Sequence, residues 1–150
     1  MNIYSELDEL YKTVPSIQCQ KKCQESCGPI NMTELEWQRI SKRIGFDPYV
    51  DKKDGTCCLL NKENGECKVY NIRPMICRLW GLVEMMKCPH GCVPDKVLNN
   101  LLGFEFLFKA DEISKERGMP LKKTTYPIVI SSIKEPLGFL YKSEIDGKDN

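Results

Sequence analysis

The sequence has almost no imbalance of charge: 22 Lys and Arg stand against 21 Asp and Glu, and no long run of one sign occurs. A basic footprint able to displace counterions from phosphates is missing, because Lys21-Lys22 is too small a cluster to supply one. Neither nucleic acid nor a membrane is therefore an expected partner. Long apolar runs are missing too. The strongest, 101–108, is broken by Gly103 and Glu105 and falls far short of the ~20 residues a membrane span requires. Glu6, Asp8 and Glu9 occupy the place where a secretory signal has a positive start and an apolar run, so a cytoplasmic location is expected. There is no glycine-rich phosphate loop, no dinucleotide fingerprint and no evident motif for S-adenosylmethionine, which argues against a methylase acting alone. Histidine is nearly absent. His90 is the only one, and a loop residue exposed to solvent is as good a reading of it as a zinc ligand.

What the sequence does have is cysteine, nine in 150 residues. In a reducing compartment these thiols stay unpaired, and an odd count suits a metal site with spare thiols better than a closed disulfide framework.

Along the chain, Ile3, Leu7, Leu10 and Val14 form one apolar stripe on a helix that Pro15 stops, predicted to cover the cysteine-bearing part. Thr33-Glu34-Leu35-Glu36 reads as a capping box opening a second helix, with Trp37, Ile40 and Ile44 on its core face and Gly45 at its end. Runs 57–60 and 67–70 flank Asn64-Gly65 as a hairpin. Arg73-Pro74 opens a short helix to about Leu82 that carries Cys77 and Arg78. Pro94 is placed at the start of the longest helix, whose face Val97, Leu101, Phe104 and Phe108 is widened by Leu98, Leu102 and Phe106. A β-branched run at 124–130 reads as an edge strand because of Pro127. Tyr70 and the methionines Met75, Met85 and Met86 read as packing rather than as ligands. The expected architecture is one α+β domain, mostly α, over residues 1–142, centred on metal, with several helices, a short β-hairpin and a disordered tail at 143–150.

The cysteines fall into three groups. Cys19, Cys23 and Cys27 are spaced by four, which on a helix keeps their sulfurs within about 80° of one another; in a loop the short spacings still force them together. Crowded thiolates repel unless a cation neutralises them. The second group is Cys57, Cys58, Cys67 and Cys77, and the third is the pair Cys88 and Cys92. In a strand Cys57 and Cys58 point to opposite faces, so one of them is expected to be spare. Eight thiols suit two tetrahedral zinc sites, two four-iron clusters, or one site with four to spare. No two cysteines are separated by two residues, which weakens the zinc-finger reading.

Cys19, Cys23 and Cys27, then Cys57-Cys58-Leu-Leu, Gly65-Glu-Cys67-Lys-Val-Tyr70 and Arg73-Pro74-Met-Ile-Cys77-Arg78 resemble the YkgJ-type cysteine-cluster family, a CxxxCxxCC zinc- or iron-chelating domain. The resemblance runs from about Cys19 to Cys92 and is tightest from Cys57 to Arg78; the family's closing CC is represented by Cys27-Gly28 alone. It implies a bound iron-sulfur cluster, preferred here as 4Fe-4S, or zinc. The implied ligands are Cys19, Cys23, Cys27, Cys57, Cys67, Cys77, Cys88 and Cys92, with Cys57 taken over Cys58, and Arg73 and Arg78 in supporting positions around them. A related cysteine cluster occurs in a flagellin lysine methylase of the same superfamily, so redox chemistry or modification of a partner protein is one expected role. Lys21, Lys22, Arg73 and Arg78 would offset the charge of such a cluster and raise its potential. A non-catalytic, zinc-stapled protein-interaction module is the second reading, and a metal-dependent enzyme acting on a peptide or small molecule is the third. One histidine is thin ground for a Cys-His-Asp nucleophile.

Overall fold

A computed structural model describes residues 2–18 and 27–125 of the chain. Its α+β architecture is mostly helical, as the periodicities predict. Helix α1 spans Ser5–Lys12 and buries Leu7 and Tyr11. Ile3, Leu10 and Val14, the rest of the expected stripe, pack at the margin of the same cluster. Strand β1, Asn31–Thr33, runs directly into helix α2, Glu34–Ile44. The capping box is complete: Glu36 N–H donates to Thr33 Oγ1 at 3.1 Å, and Thr33 N–H donates to Glu36 Oε2 at 3.0 Å. Gly45 ends the helix at φ 87°, a left-handed turn that residues with a Cβ rarely adopt. Trp37 is half-buried rather than enclosed, its indole N–H reaching Asp47 Oδ1 at 3.2 Å.

The expected hairpin is present but short. Strand β2, Leu60–Asn61, pairs antiparallel with β3, Glu66–Cys67. Cys57 and Cys58 lie at a turn before it, with Leu60 N–H bonded to Cys57 O at 3.1 Å, so the alternation of a strand does not separate them. Helix α3, Met75–Leu79, stops short of Leu82 because Trp80 is extended and Gly81 has φ 90°.

Helix α4, Asn100–Glu116, differs most from the sequence reading. It starts six residues after Pro94, capped by Asn99, whose Oδ1 accepts from Leu102 N–H at 2.8 Å. The backbone before it is already committed: Leu98 N–H bonds Leu82 O at 2.8 Å and Leu98 O accepts from Glu84 N–H at 3.0 Å. Its buried side also differs. Leu98, Gly103 and Ala110 are buried, with Leu102 and Phe106 packed beside them, whereas Val97, Leu101, Phe104 and Phe108 are 52%, 67%, 47% and 64% exposed. Met85 is likewise on the surface, while Met75 is fully buried. The chain then returns as strand β4, Lys122–Thr124, antiparallel to β1 with Asn31 opposite Thr124. Residues 126–130 of the expected strand and the expected tail lie outside the described residues.

Instead of one core there are two apolar clusters. Leu7, Leu35, Met75, Leu79, Leu82, Val83 and Leu98 form the larger. Met32, Ile40, Cys57, Leu59, Val69 and Ile72 form the smaller. Helix α2 belongs to both, through Leu35 and Ile40. Among the described residues no helix is long and apolar enough to cross a membrane.

Candidate metal centre

Between the clusters lies a cavity of about 850 Å³ whose wall includes Cys27, Cys67, Cys77, Cys88 and Cys92. Thiols from all three sequence groups are thus brought to one space. Cys27 arrives from the loop ahead of β1, Cys67 from β3, Cys77 from α3, and the last two from the loop that follows α3. Cys19 and Cys23 lie outside the described residues. Among the described residues no three Cys, His, Asp or Glu side chains converge tightly enough to hold a metal ion by themselves.

At Cys67 and Cys77 the electrostatics favour neutral thiols when no cation is present. Burial pushes the Cys77 thiol up to about 12, with the neighbouring Cys67 and Cys27 adding to the shift and Arg73 opposing it. Burial likewise raises Cys67, against the Val69 N–H and Arg73. Cys88 is lowered: slight burial acts upward but is outweighed by N–H groups directed at its sulfur, including His90 N–H at 3.4 Å, and by the Cys92 thiol. A tight loop whose amides point at a sulfur stabilises a thiolate, the form in which cysteine binds metal.

Cys57 and Cys58 stand apart from this wall and line a separate depression with Lys62 and Lys68. Cys57 is buried in the smaller cluster, and its N–H bonds Cys27 O at 2.7 Å, which ties the first cysteine group to the second. The two adjacent thiols share a hydrogen bond. That bond, with burial, raises Cys57, and it lowers Cys58 to about 6, helped by Tyr49 N–H at 3.4 Å and by Lys68.

Both arginines expected around the ligands line the cavity. Arg73 stacks 3.8 Å over the Tyr70 ring and donates its Nε to Tyr70 O at 3.0 Å. Arg78 stacks 3.8 Å over Tyr11 and donates to Arg73 O at 2.8 Å and Asn71 O at 2.6 Å. Both guanidiniums thus bond backbone carbonyls while lining the cavity that the thiols share. Tyr70 supports a guanidinium as well as packing.

Glu36 is the residue whose reach the sequence did not disclose. Besides capping α2 it accepts from Tyr11 O–H at 2.8 Å and from Met75 N–H at 2.7 Å, joining α1, α2 and the start of α3 at the cavity wall. Burial and this carboxylate hold the Tyr11 phenol well above its ordinary range.

The donor chemistry of the wall, soft sulfur beside fixed positive charge, fits zinc or iron. A model of the CxxCxxCC family, described as "Putative zinc- or iron-chelating domain", matches residues 17–93. No curated protein and no solved structure matches the chain.

Proposed function

Since this chain belongs to the CxxCxxCC family of zinc- or iron-chelating domains, we propose that it holds an iron-sulfur cluster and uses it in redox chemistry or in modifying a partner protein. The observation that carries this reading is the single cavity onto which Cys27, Cys67, Cys77, Cys88 and Cys92 open. At about 850 Å³ it offers more room than one zinc ion needs, and it is lined by more thiols than one tetrahedral site takes. In this reading Cys19 and Cys23 complete the donor set, and Cys57 serves as an eighth thiol from the adjoining cluster. Such a centre supplies one-electron chemistry at a potential set by its surroundings. The chain's own part is to keep the sulfurs together, to exclude water with the apolar clusters, and to hold the Arg73 and Arg78 guanidiniums beside an anionic group.

Purification without oxygen, followed by iron, sulfide and zinc analysis, tests the proposal. Iron and acid-labile sulfide in matching amounts, with visible absorption that bleaches on reduction, are expected. A stoichiometric, colourless zinc protein would favour the second reading, a zinc-stapled interaction module. That reading draws on one observation: Cys27 and Cys67 pack on the smaller apolar cluster while the helix carrying Cys77 belongs to the larger, so a bound ion would tie the two. A folded chain with reduced thiols and neither metal sinks both readings.

A further inference from the structure

The exposed stripe on α4 is too ordered to be scattered surface. Leu101, Phe104 and Phe108 follow one another at intervals of three and four, so they lie in one row along the helix, Val97 is exposed in the segment that leads into it, and each of the four is about half exposed or more. One turn beyond Phe108, on the same row, is Asp111, and its carboxylate is reached by Lys122 of β4 at 3.4 Å. Strand β4 therefore lies beside the C-terminal end of the stripe. The described chain stops immediately after it, at Thr125, which is fully buried and fastened to Ile30 by its N–H at 3.0 Å.

The sequence that follows suits the stripe. From Tyr126 to Tyr141 it contains Ile128, Val129, Ile130, Ile133, Leu137, Phe139 and Leu140, with Lys134 and Glu135 its only charges. Sixteen residues reach up to about 50 Å when extended, while the 17 residues of α4 span about 25 Å. An apolar segment that begins at the edge of an uncovered apolar row, and is long enough to run its whole length, is the occupant that row requires. We propose that residues 126–141 dock on the Leu101, Phe104 and Phe108 face of α4 within the same chain. The proposal is independent of which metal the cysteines hold.

The test uses the full chain with the photo-crosslinking residue p-benzoylphenylalanine in place of Phe104, a half-exposed position that tolerates a larger ring. Irradiation should give a cross-link within one chain, at the monomer mass, between α4 and a peptide from 126–141. Cross-links between two copies would show that the face is a dimer interface, and cross-links that miss 126–141 would show it to be open; either result overturns the proposal. A second measurement guards against a chance encounter. In the otherwise intact chain, the double change Leu101→Glu and Phe108→Glu should raise the rate of proteolytic cleavage within 126–141 at least tenfold, with the far-ultraviolet circular dichroism kept. An unchanged cleavage rate counts against docking.

Discussion

Glu36 is a carboxylate with 2% of its surface in water, held there because donors from four points meet it: the Thr33 amide and hydroxyl, the Tyr11 phenol and the Met75 amide. Removing it leaves buried donors unanswered, each costing about 1–3 kcal/mol. Glu36→Ala should therefore destabilise the chain by more than about 3 kcal/mol, and Glu36→Gln by less, as read from urea midpoints with an unchanged slope. The capping half of this hub was legible because Thr33 and Glu36 are three residues apart. Tyr11 and Met75 stand 25 and 39 residues away, beyond any local pattern. The same holds for the thiols: their number and grouping pointed to a metal, but the placing of Cys57 and Cys58 beside a depression of their own, apart from the cavity, depends on a turn that the expected strand hid. At Cys77 the sign of the pH effect follows from burial. Its raised value keeps the metal-free thiol protonated, which adds stability below the ordinary thiol range that is lost as pH climbs towards about 12. Metal must displace that proton, so zinc affinity should rise with pH, up to about tenfold per unit for each proton released. Titrations of the metal-free chain in two buffers of different ionisation heat, across pH 6.5 to 8.5, would count those protons.

Among the elements, α4 shows what periodicity can and cannot decide. The spacing identified a long helix, and it offered two adjacent apolar rows, 97/101/104/108 and 98/102/106. Either row satisfies the same repeat. The choice falls to packing against a neighbour distant in sequence, where Gly103 lets α4 press onto Val83: a Cβ at that position would lie 2.9 Å from Val83 Cγ2. Gly103→Ala, which in an open helix would gain about 1 kcal/mol, should here lower stability, and Val83→Ala in the same chain should restore part of the loss. Non-additivity of the two changes in a double-mutant cycle is the expected outcome; simple addition would mean the contact is unimportant. Strand β1 escaped notice for a related reason. Three residues such as Asn31-Met32-Thr33 carry no periodic signal, and β1 exists because β4 comes back from about ninety positions later to pair with it.

For the molecule as a whole, the cavity between two modest apolar clusters means that metal and fold are thermodynamically linked. A ligand that binds only the folded chain stabilises it by about 3 kcal/mol at roughly a hundredfold excess over its Kd. Removing metal with a chelator, under reducing conditions, should accordingly lower Tm by about 10 °C or more. An unchanged Tm would mean that the centre is a passenger in a self-sufficient fold. The α+β, mostly helical class was legible from the order of its patterns. The division of its interior was not, because apolar residues look alike in sequence whichever cluster they join.

The pairing of β1 with β4 has a consequence for how the protein is made. All nine cysteines precede α4, and six of them lie in the long loop that this pairing closes. A chain leaving the ribosome therefore presents these nine thiols before α4 and β4 exist, and closure over so large a loop is intrinsically slow. Loading and sealing become separate events in time. Zinc added at the start of refolding should be captured faster than zinc added to the folded, metal-free chain, with stopped-flow uptake as the readout; equal rates would mean that the finished fold leaves its centre open.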